Sequence, residues 1–183
     1  MGGRGTSGVM GGGFGRGGGG DEKLEYHPIF PAYFNKQGRF ASVEGAEKIF
    51  SDKYKSAKTE YAVSVDELGF VHSASTSGKK SVTIIPPIGK NHTLMHNHPG
   101  GSNFSGKDLY TFATNKNMKA IKAIGADKTY SVTKTKRFKA ESFVKAASKA
   151  RWPSKLEYSE GVEWWLKKNE KAFGYKYESY KTR

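Results

Sequence analysis

The chain has 183 residues and a formal net charge of +14, and 36% of its residues are hydrophobic. This length and composition predict one globular domain with appendages, and the charge predicts an acidic partner or a lysine-rich soluble surface. The sequence has no cysteine, which excludes a disulfide scaffold, a thiol nucleophile and cysteine-ligated zinc, including the zinc of the nucleobase deaminases.

The N-terminal region divides into two appendages. Residues 1–20 contain twelve glycines, two arginines and no acid, a composition that cannot bury enough surface to offset its ordering entropy. We therefore predict a disordered tail that serves as a tether, with weak nucleic-acid contact as the alternative. Residues 21–41 hold two prolines among several aromatic residues, which predicts an extended arm packed on the domain rather than a helix.

A helix followed by strands is predicted next. The helix begins at Ser42, and one of its faces is apolar (Val43, Ala46, Phe50, Tyr54 and Ala57). Alternation over 61–65 predicts a half-buried strand, and the turn at 66–69 leads into a second strand at 70–74. A further strand is predicted at 81–85, before two prolines.

The segment 92–108 carries the most informative pattern. Its strand places His96 and His98 on one face, because residues two apart in a strand point the same way; Asn97 between them should face the other way and hold the loop. A Pro-Gly-Gly turn follows, Ser105 is a good N-cap, and Asp108 falls in the first helical turn. Two imidazoles and one carboxylate leave a fourth tetrahedral position for water, as in catalytic zinc sites. Taken separately, the two histidines could be ordinary exposed strand residues and Ser105-x-x-Asp108 an ordinary capping box. The occurrence of both patterns together, joined by a short glycine-rich turn, favours a metal site.

The pattern His96-Asn97-His98-Pro99 followed by Ser105-x-x-Asp108 resembles the signature of the JAMM (MPN+) metalloproteases. The residues His-Asn-His-Pro-Gly-Gly are more similar to the bacterial and phage-borne members of that family than to its eukaryotic deubiquitinases. The turn before the serine is one residue shorter than in that signature. The resemblance implies zinc (Zn2+) held by His96, His98 and Asp108, with Ser105 hydrogen-bonding the tetrahedral intermediate. It also implies an α/β fold in which helices flank a mixed β-sheet. This architecture would be JAMM/MPN-like and cytidine-deaminase-like.

The resemblance further implies a glutamate that deprotonates the zinc-bound water, at the start of an upstream strand. Glu60 fits this position, although by itself it resembles an ordinary strand-edge carboxylate. Glu67 is the competitor, but it lies in a predicted hairpin turn and should face solvent. Glu44 and Glu47 belong to the preceding helix.

The C-terminal region is predicted to begin with a helix from Ser105 to about residue 115 and a hairpin over 118–133. A basic helix at 138–150 and a last helix capped by Ser159 and closed by Gly174 follow. These predictions divide the chain into four parts: the tail 1–20, the arm 21–41, the JAMM-like core 42–135 and a basic helical extension 136–183.

The extension is strongly charged. Between Lys128 and Lys155 nine basic residues accompany one acid, a local net charge of +8. This face could bind nucleic acid through phosphate contacts, with the following residues as candidates: Lys134, Lys136, Arg137, Lys139, Lys145, Lys149 and Arg151. The plainer alternative is a solvated, lysine-rich helix.

The sequence therefore favours a zinc-dependent peptidase or isopeptidase of phage or mobile-element origin, acting on a protein or peptide. One alternative is a non-catalytic phage or mobile-element accessory protein that binds nucleic acid through the basic C-terminal face. Another is a metal-dependent nuclease, although no second carboxylate cluster for a two-metal site is present. No apolar run reaches membrane-spanning length and no hydrophobic signal region is present, so we expect a cytoplasmic protein of a bacterial host, with virion association as a variant.

Overall fold

The computed structural model describes residues 25–26, 33–34, 42–67, 69, 71–76, 89 and 91–183. The predicted tail, most of the predicted arm and the predicted strand at 81–85 lie outside the described residues. Within the arm, β1 (Glu25–Tyr26) and β2 (Tyr33–Phe34) pair as antiparallel strands.

The other elements are a mixture of helices and strands along the chain. In chain order they are α1 (Val43–Tyr54), β3 (Tyr61–Asp66), β4 (Val71–Thr76), β5 (His92–Asn97), α2 (Gly106–Thr114), β6 (Met118–Ile124), β7 (Lys128–Lys134), α3 (Ala140–Ala147), α4 (Tyr158–Phe173) and β8 (Tyr175–Lys181). None of the helices in this part of the chain has the length and hydropathy needed to span a bilayer.

Six strands form one mixed sheet in the order β4-β3-β5-β6-β7-β8. β5 and β6 are parallel, and every other neighbouring pair is antiparallel. A parallel pair needs a crossover connection, which α2 supplies. The predicted α/β class with a mixed sheet and flanking helices is therefore confirmed.

Helices cover both faces of the sheet. On one face α1 packs through Ala46, Phe50 and Tyr54 against residues of β3, β5 and β6. On the other face α2, α3 and α4 share a second cluster, in which the fully buried Phe143 ring lies 5.3 Å from the ring of Tyr175. The sheet is thus the middle layer of three.

This layering corrects the prediction of a half-buried strand at 61–65. Val63 and Val65 are buried with α1, while Ala62 and Ser64 are buried on the opposite face. The alternation of apolar and small polar residues suggested one solvated face. A central strand covered by helices on both sides has none.

The helix ends follow local rules with one exception. The helix start at Ser42 and the C-cap at Gly174 are as predicted. Ser42 is the N-cap of α1, with its hydroxyl accepting from Gly45 N at 3.0 Å, and Gly174 ends α4 in the left-handed region at φ 75°. The prediction that Ser159 caps α4 is wrong. Glu157 is the N-cap, because the Ser159 hydroxyl accepts a hydrogen bond from the distant Asn103 N at 3.0 Å instead.

The C-terminal segment 136–183 is part of the same sheet and core. β8 pairs with β7 along its whole length, from Lys128 opposite Lys181 to Lys134 opposite Tyr175. α3 and α4 supply buried side chains to the second cluster. The predicted basic helix is shorter than expected and spans Ala140–Ala147.

Candidate metal centre

Three sequence-distant segments meet at one end of the sheet. β5 ends at Asn97, and α2 begins close by at Gly106. Because β3 is antiparallel to β5, with Ala62 opposite His96, the residues that precede β3 lie at this same end. Glu60, two residues before Ala62, is thereby brought to the histidines.

Four predicted site residues converge here. The Nε2 atoms of His96 and His98 lie 2.9 Å apart. Oδ1 of Asp108 lies 3.5 Å from His96 Nε2, and its Oδ2 lies 3.6 Å from His98 Nε2. Potential ligand atoms of Glu60, His96 and His98 all lie within 4.8 Å of one another.

These residues fit a metal ion. Zinc–nitrogen and zinc–oxygen distances of about 2.0–2.1 Å at tetrahedral angles place neighbouring ligand atoms about 3.3 Å apart. The observed separations of 2.9, 3.5 and 3.6 Å bracket that value. The group Glu60–His96–His98 could hold a metal ion, and the Asp108 carboxylate lies within reach of the same point.

The two imidazoles are held differently. The carbonyl of Ser102 can only accept, so Nδ1 of His98 donates to it at 2.7 Å and Nε2 of the neutral ring presents its lone pair to the site. Nδ1 of His96 is buried and has no hydrogen-bond partner in the described part of the chain. The His98 ring is therefore oriented by a hydrogen bond, and the His96 ring by packing.

Ser105 and Asp108 form a helix capping box as well as part of the site. The Ser105 hydroxyl accepts from Asp108 N at 3.2 Å. Oδ2 of Asp108 accepts from both Ser105 N and Ser105 Oγ at 2.7 Å. Asp108 can therefore cap the helix through Oδ2 and still offer Oδ1, which faces His96, to a metal ion.

The two carboxyls have opposite electrostatic environments. Burial acts to raise the pKa of Asp108, but the adjacent His96 and His98 and the Ser105 hydrogen bond outweigh it and hold that pKa far below its usual range. At Glu60 burial prevails over the two imidazoles and raises the pKa. Burial acts to lower the pKa of His98, yet contact with Asp108 raises it.

Asn97 fixes the segment that carries Glu60. Its side chain is fully buried. Its Oδ1 accepts from Tyr61 N at 2.7 Å, and its Nδ2 donates to the Thr59 carbonyl at 3.0 Å. One amide thereby holds the backbone on both sides of the glutamate.

The loop between the histidines and α2 is anchored by the C-terminal segment. Nδ2 of the buried Asn103 donates to the Ser159 carbonyl at 3.2 Å and to the Tyr177 hydroxyl at 2.9 Å. The Tyr158 hydroxyl donates to the Phe104 carbonyl at 3.0 Å. Nothing in the sequence indicated this role. Ser159 and Tyr177 follow Asn103 by 56 and 74 residues, and no local pattern connects residues that far apart.

The competing residues lie elsewhere. Glu67 is exposed and accepts from Asn91 at 3.1 Å, at the other end of β3. Glu44 is exposed on α1, and the buried Glu47 binds Lys122 and Tyr180. Of the seven predicted nucleic-acid contacts, six are exposed and Lys134 is half-buried.

No protein-family model, no curated protein and no solved structure matches this chain. The geometry of the site and the resemblance of its motif are therefore the observations that bear on function.

Proposed function

We propose that this chain is a zinc-dependent hydrolase that cleaves an amide bond in a protein or peptide substrate. The convergence of the two Nε2 atoms with the Asp108 and Glu60 carboxyls carries this proposal. Two imidazoles and a carboxylate are a ligand set typical of catalytic zinc, with one position left open. The JAMM-like motif supports the same choice of residues, and the 3.5 and 3.6 Å separations mean that the shortened turn does not keep Asp108 out of reach.

The ligand set is His96, His98 and Asp108. Asp108 is the preferred carboxylate ligand because, despite its burial, the neighbouring His96 and His98 and the Ser105 hydrogen bond lower its pKa and so favour its anionic form. Its capping hydrogen bonds from Ser105 fix its orientation. When bound, zinc polarises the scissile carbonyl and lowers the pKa of a water molecule to about 7.

Glu60 is the proton carrier. Burial raises its pKa, which suits a group that must accept a proton from water and then pass it to the leaving amine. Its raised pKa and the lowered pKa of Asp108 give the two carboxyls distinct acid–base roles.

Ser105 is the proposed hydrogen-bond donor to the developing oxyanion. Its hydroxyl donates to Asp108 Oδ2 at 2.7 Å, so this role requires the hydroxyl to turn towards the substrate. Asp108 then keeps the bond from Ser105 N. A donor of this kind typically contributes about 2.7–4 kcal/mol to lowering the barrier.

Metal content tests the ligand assignment. We expect elemental analysis of purified protein to find one zinc per chain, little or none in His98→Ala, and unchanged zinc in Glu60→Gln. Glu67→Gln is the matched control, since this exposed glutamate lies at the other end of β3. Full zinc content in His98→Ala, or none in folded wild type supplied with zinc, contradicts the assignment.

Turnover tests the chemistry. In a screen of peptide and isopeptide substrates, we expect wild-type hydrolysis to need zinc. Glu60→Gln should lower kcat by about 10²-fold or more, and Ser105→Ala by about 10²–10³-fold. Full activity in Glu60→Gln would show that another group carries the proton.

A further inference from the structure

The end of the sheet opposite the metal centre collects residues from distant parts of the chain. β6 is parallel to β5, so it begins at that far end, and the antiparallel β7 finishes there. β8 begins beside the last residue of β7, with Tyr175 opposite Lys134. α2 runs back to β6 and ends there, and α4 ends there at Gly174, whose carbonyl accepts from Thr135 N at 3.0 Å.

The exposed side chains of this end are mostly basic. We call the following seven exposed residues the basic end surface: Lys116, Lys119, Lys136, Arg137, Lys139, Lys171 and Lys176. Four of them lie outside the run 128–155 that dominates the charge of the sequence. The fold, not the sequence alone, therefore assembles this surface.

Ion pairs within the described part of the chain do not neutralise the positive charge of this surface. Within the described residues, none of the seven forms a salt bridge, whereas Lys48, Lys122, Lys128 and Lys167 do. The acids among the described residues nearby are Glu141, in the first turn of α3, Glu170, and Glu178, two residues after Lys176 on the same exposed face of β8. The Glu170 carboxylate accepts from Tyr177 N, so it is engaged within the fold.

Lys134 is half-buried beneath this surface and contacts other residues of the protein. Its ammonium donates to the Asn115 carbonyl at 2.6 Å and lies 4.9 Å from the ring centre of Phe112 and 5.1 Å from that of Phe138. Lys134, which the sequence suggested as a phosphate contact, thus makes its contacts within the protein. Its exposed neighbours Lys136 and Arg137 are the basic residues that face solvent.

We infer that the basic end surface binds the phosphate backbone of double-stranded nucleic acid without sequence preference. Unpaired lysine and arginine side chains across one end of a domain complement a polyphosphate by releasing its counterions. The exposed large apolar residues of the described chain are Tyr110, Tyr158 and Trp164, and none belongs to the turns of this end. Within the described residues, the turns of this end therefore present no highly exposed aromatic ring on which single-stranded bases could stack and no highly exposed apolar anchor for a membrane.

Salt-dependent binding tests this inference. Fluorescence anisotropy of a labelled 20-base-pair duplex would be measured with the full chain over a range of salt concentrations. The triple variant Lys119→Gln/Lys136→Gln/Arg137→Gln should weaken binding by about tenfold or more. It should also reduce the slope of log K against log salt by about 2.7, or about 0.9 per lost phosphate contact.

The control variant removes the same charge elsewhere. Lys48→Gln/Lys53→Gln/Lys181→Gln alters three exposed lysines away from this end, and its affinity and slope should match the wild type. Circular dichroism and the urea midpoint would verify that both variants fold. The single variant Arg137→Gln, with an expected slope change of about 0.9, provides an independent measure.

Three results overturn the inference. The first is no duplex binding by wild type at low salt, whether or not it binds vesicles that contain anionic lipid. The second is an equal loss of affinity in the two triple variants, which would mean that only net charge matters. The third is tighter binding to the single strand than to the duplex.

Discussion

At the scale of single residues, one amide decides where the proposed base stands. Asn97 bonds both backbone neighbours of Glu60. Asn97→Ala would leave Tyr61 N and the Thr59 carbonyl without these partners, at a cost of about 1–3 kcal/mol for each group that stays buried. We expect Glu60 to lose its fixed position while the histidines keep theirs.

The Asn97→Ala variant should therefore keep its zinc and lose turnover by about 10–100-fold, as is typical of residues that orient a functional group. kcat should fall with little change in KM, because the amide does not line the face shared by the histidines. Asn91→Ala is a suitable control, since that exposed amide bonds Glu67 at the far end of β5. Loss of zinc together with turnover would show that Asn97 supports the whole site rather than the base.

Most of the site residues that sequence could identify have a local signal, whereas Glu60 was identified only through the family resemblance. His96, His98, Ser105 and Asp108 lie within one strand–turn–helix segment, where strand parity and helix capping fix their directions. The partners of Asn97 lie 36 and 38 residues away in sequence. No local rule connects them, so its role follows only from the pairing of β3 with β5.

At the scale of elements, α4 joins the sheet through Glu163. This carboxylate accepts from Lys128 at 2.8 Å, from Lys167 at 2.6 Å and from Ser179 at 3.0 Å. Burial acts to raise its pKa, but these hydrogen bonds outweigh it and lower the pKa to about 2. The contact therefore links α4 to both β7 and β8.

The lowered pKa sets the sign of a pH effect. An acid whose pKa is depressed in the folded state stabilises the fold above its unfolded pKa of about 4.5 and loses that contribution as pH falls towards 2. The wild-type urea midpoint should therefore fall more steeply below pH 4.5 than that of Glu163→Gln. Glu178→Gln, at an exposed position of β8, should behave as wild type. Parallel curves for wild type and Glu163→Gln would mean that the contact adds no stability.

Element positions were more predictable than element boundaries. The periodicities of α1, β5, β6 and β7 predicted their locations, because each carries a repeated apolar pattern. Ser159 was misassigned because its hydroxyl serves the site loop through Asn103, a tertiary contact that local capping rules do not include. β8 was not assigned from its mixed aromatic and charged sequence, since only its pairing with β7 gives Tyr175 and Tyr177 a buried face.

At the scale of the whole molecule, the two ends of the sheet differ in character. The candidate metal centre occupies the end where β5 and β6 finish, and the basic end surface occupies the other. If both proposals hold, nucleic acid binds without covering the site, so a protein substrate on the same duplex could still reach it. The net charge of +14 would then serve to concentrate the enzyme near such substrates.

The buried side chains of α3, α4 and β8 determine which part of the chain can fold. A chain ending at residue 135 lacks α3, α4 and β8, and with them six large buried side chains: Phe143, Val162, Trp165, Leu166, Tyr175 and Tyr177. At about 1.5–3 kcal/mol for each buried side chain, their loss amounts to about 9 kcal/mol or more. This is comparable to the whole stability of a typical domain, about 5–15 kcal/mol.

Residues 1–135 should therefore show no cooperative thermal transition by circular dichroism, whereas deletion of residues 2–20 should leave the melting temperature of the chain unchanged. The truncated chain should also bind no zinc, because the loop between His98 and Ser105 loses its anchors at Ser159 and Tyr177. A cooperative transition and stoichiometric zinc in residues 1–135 would mean that the core 42–135 is an independent domain. The C-terminal segment would then be an accessory to the metal centre rather than part of its scaffold.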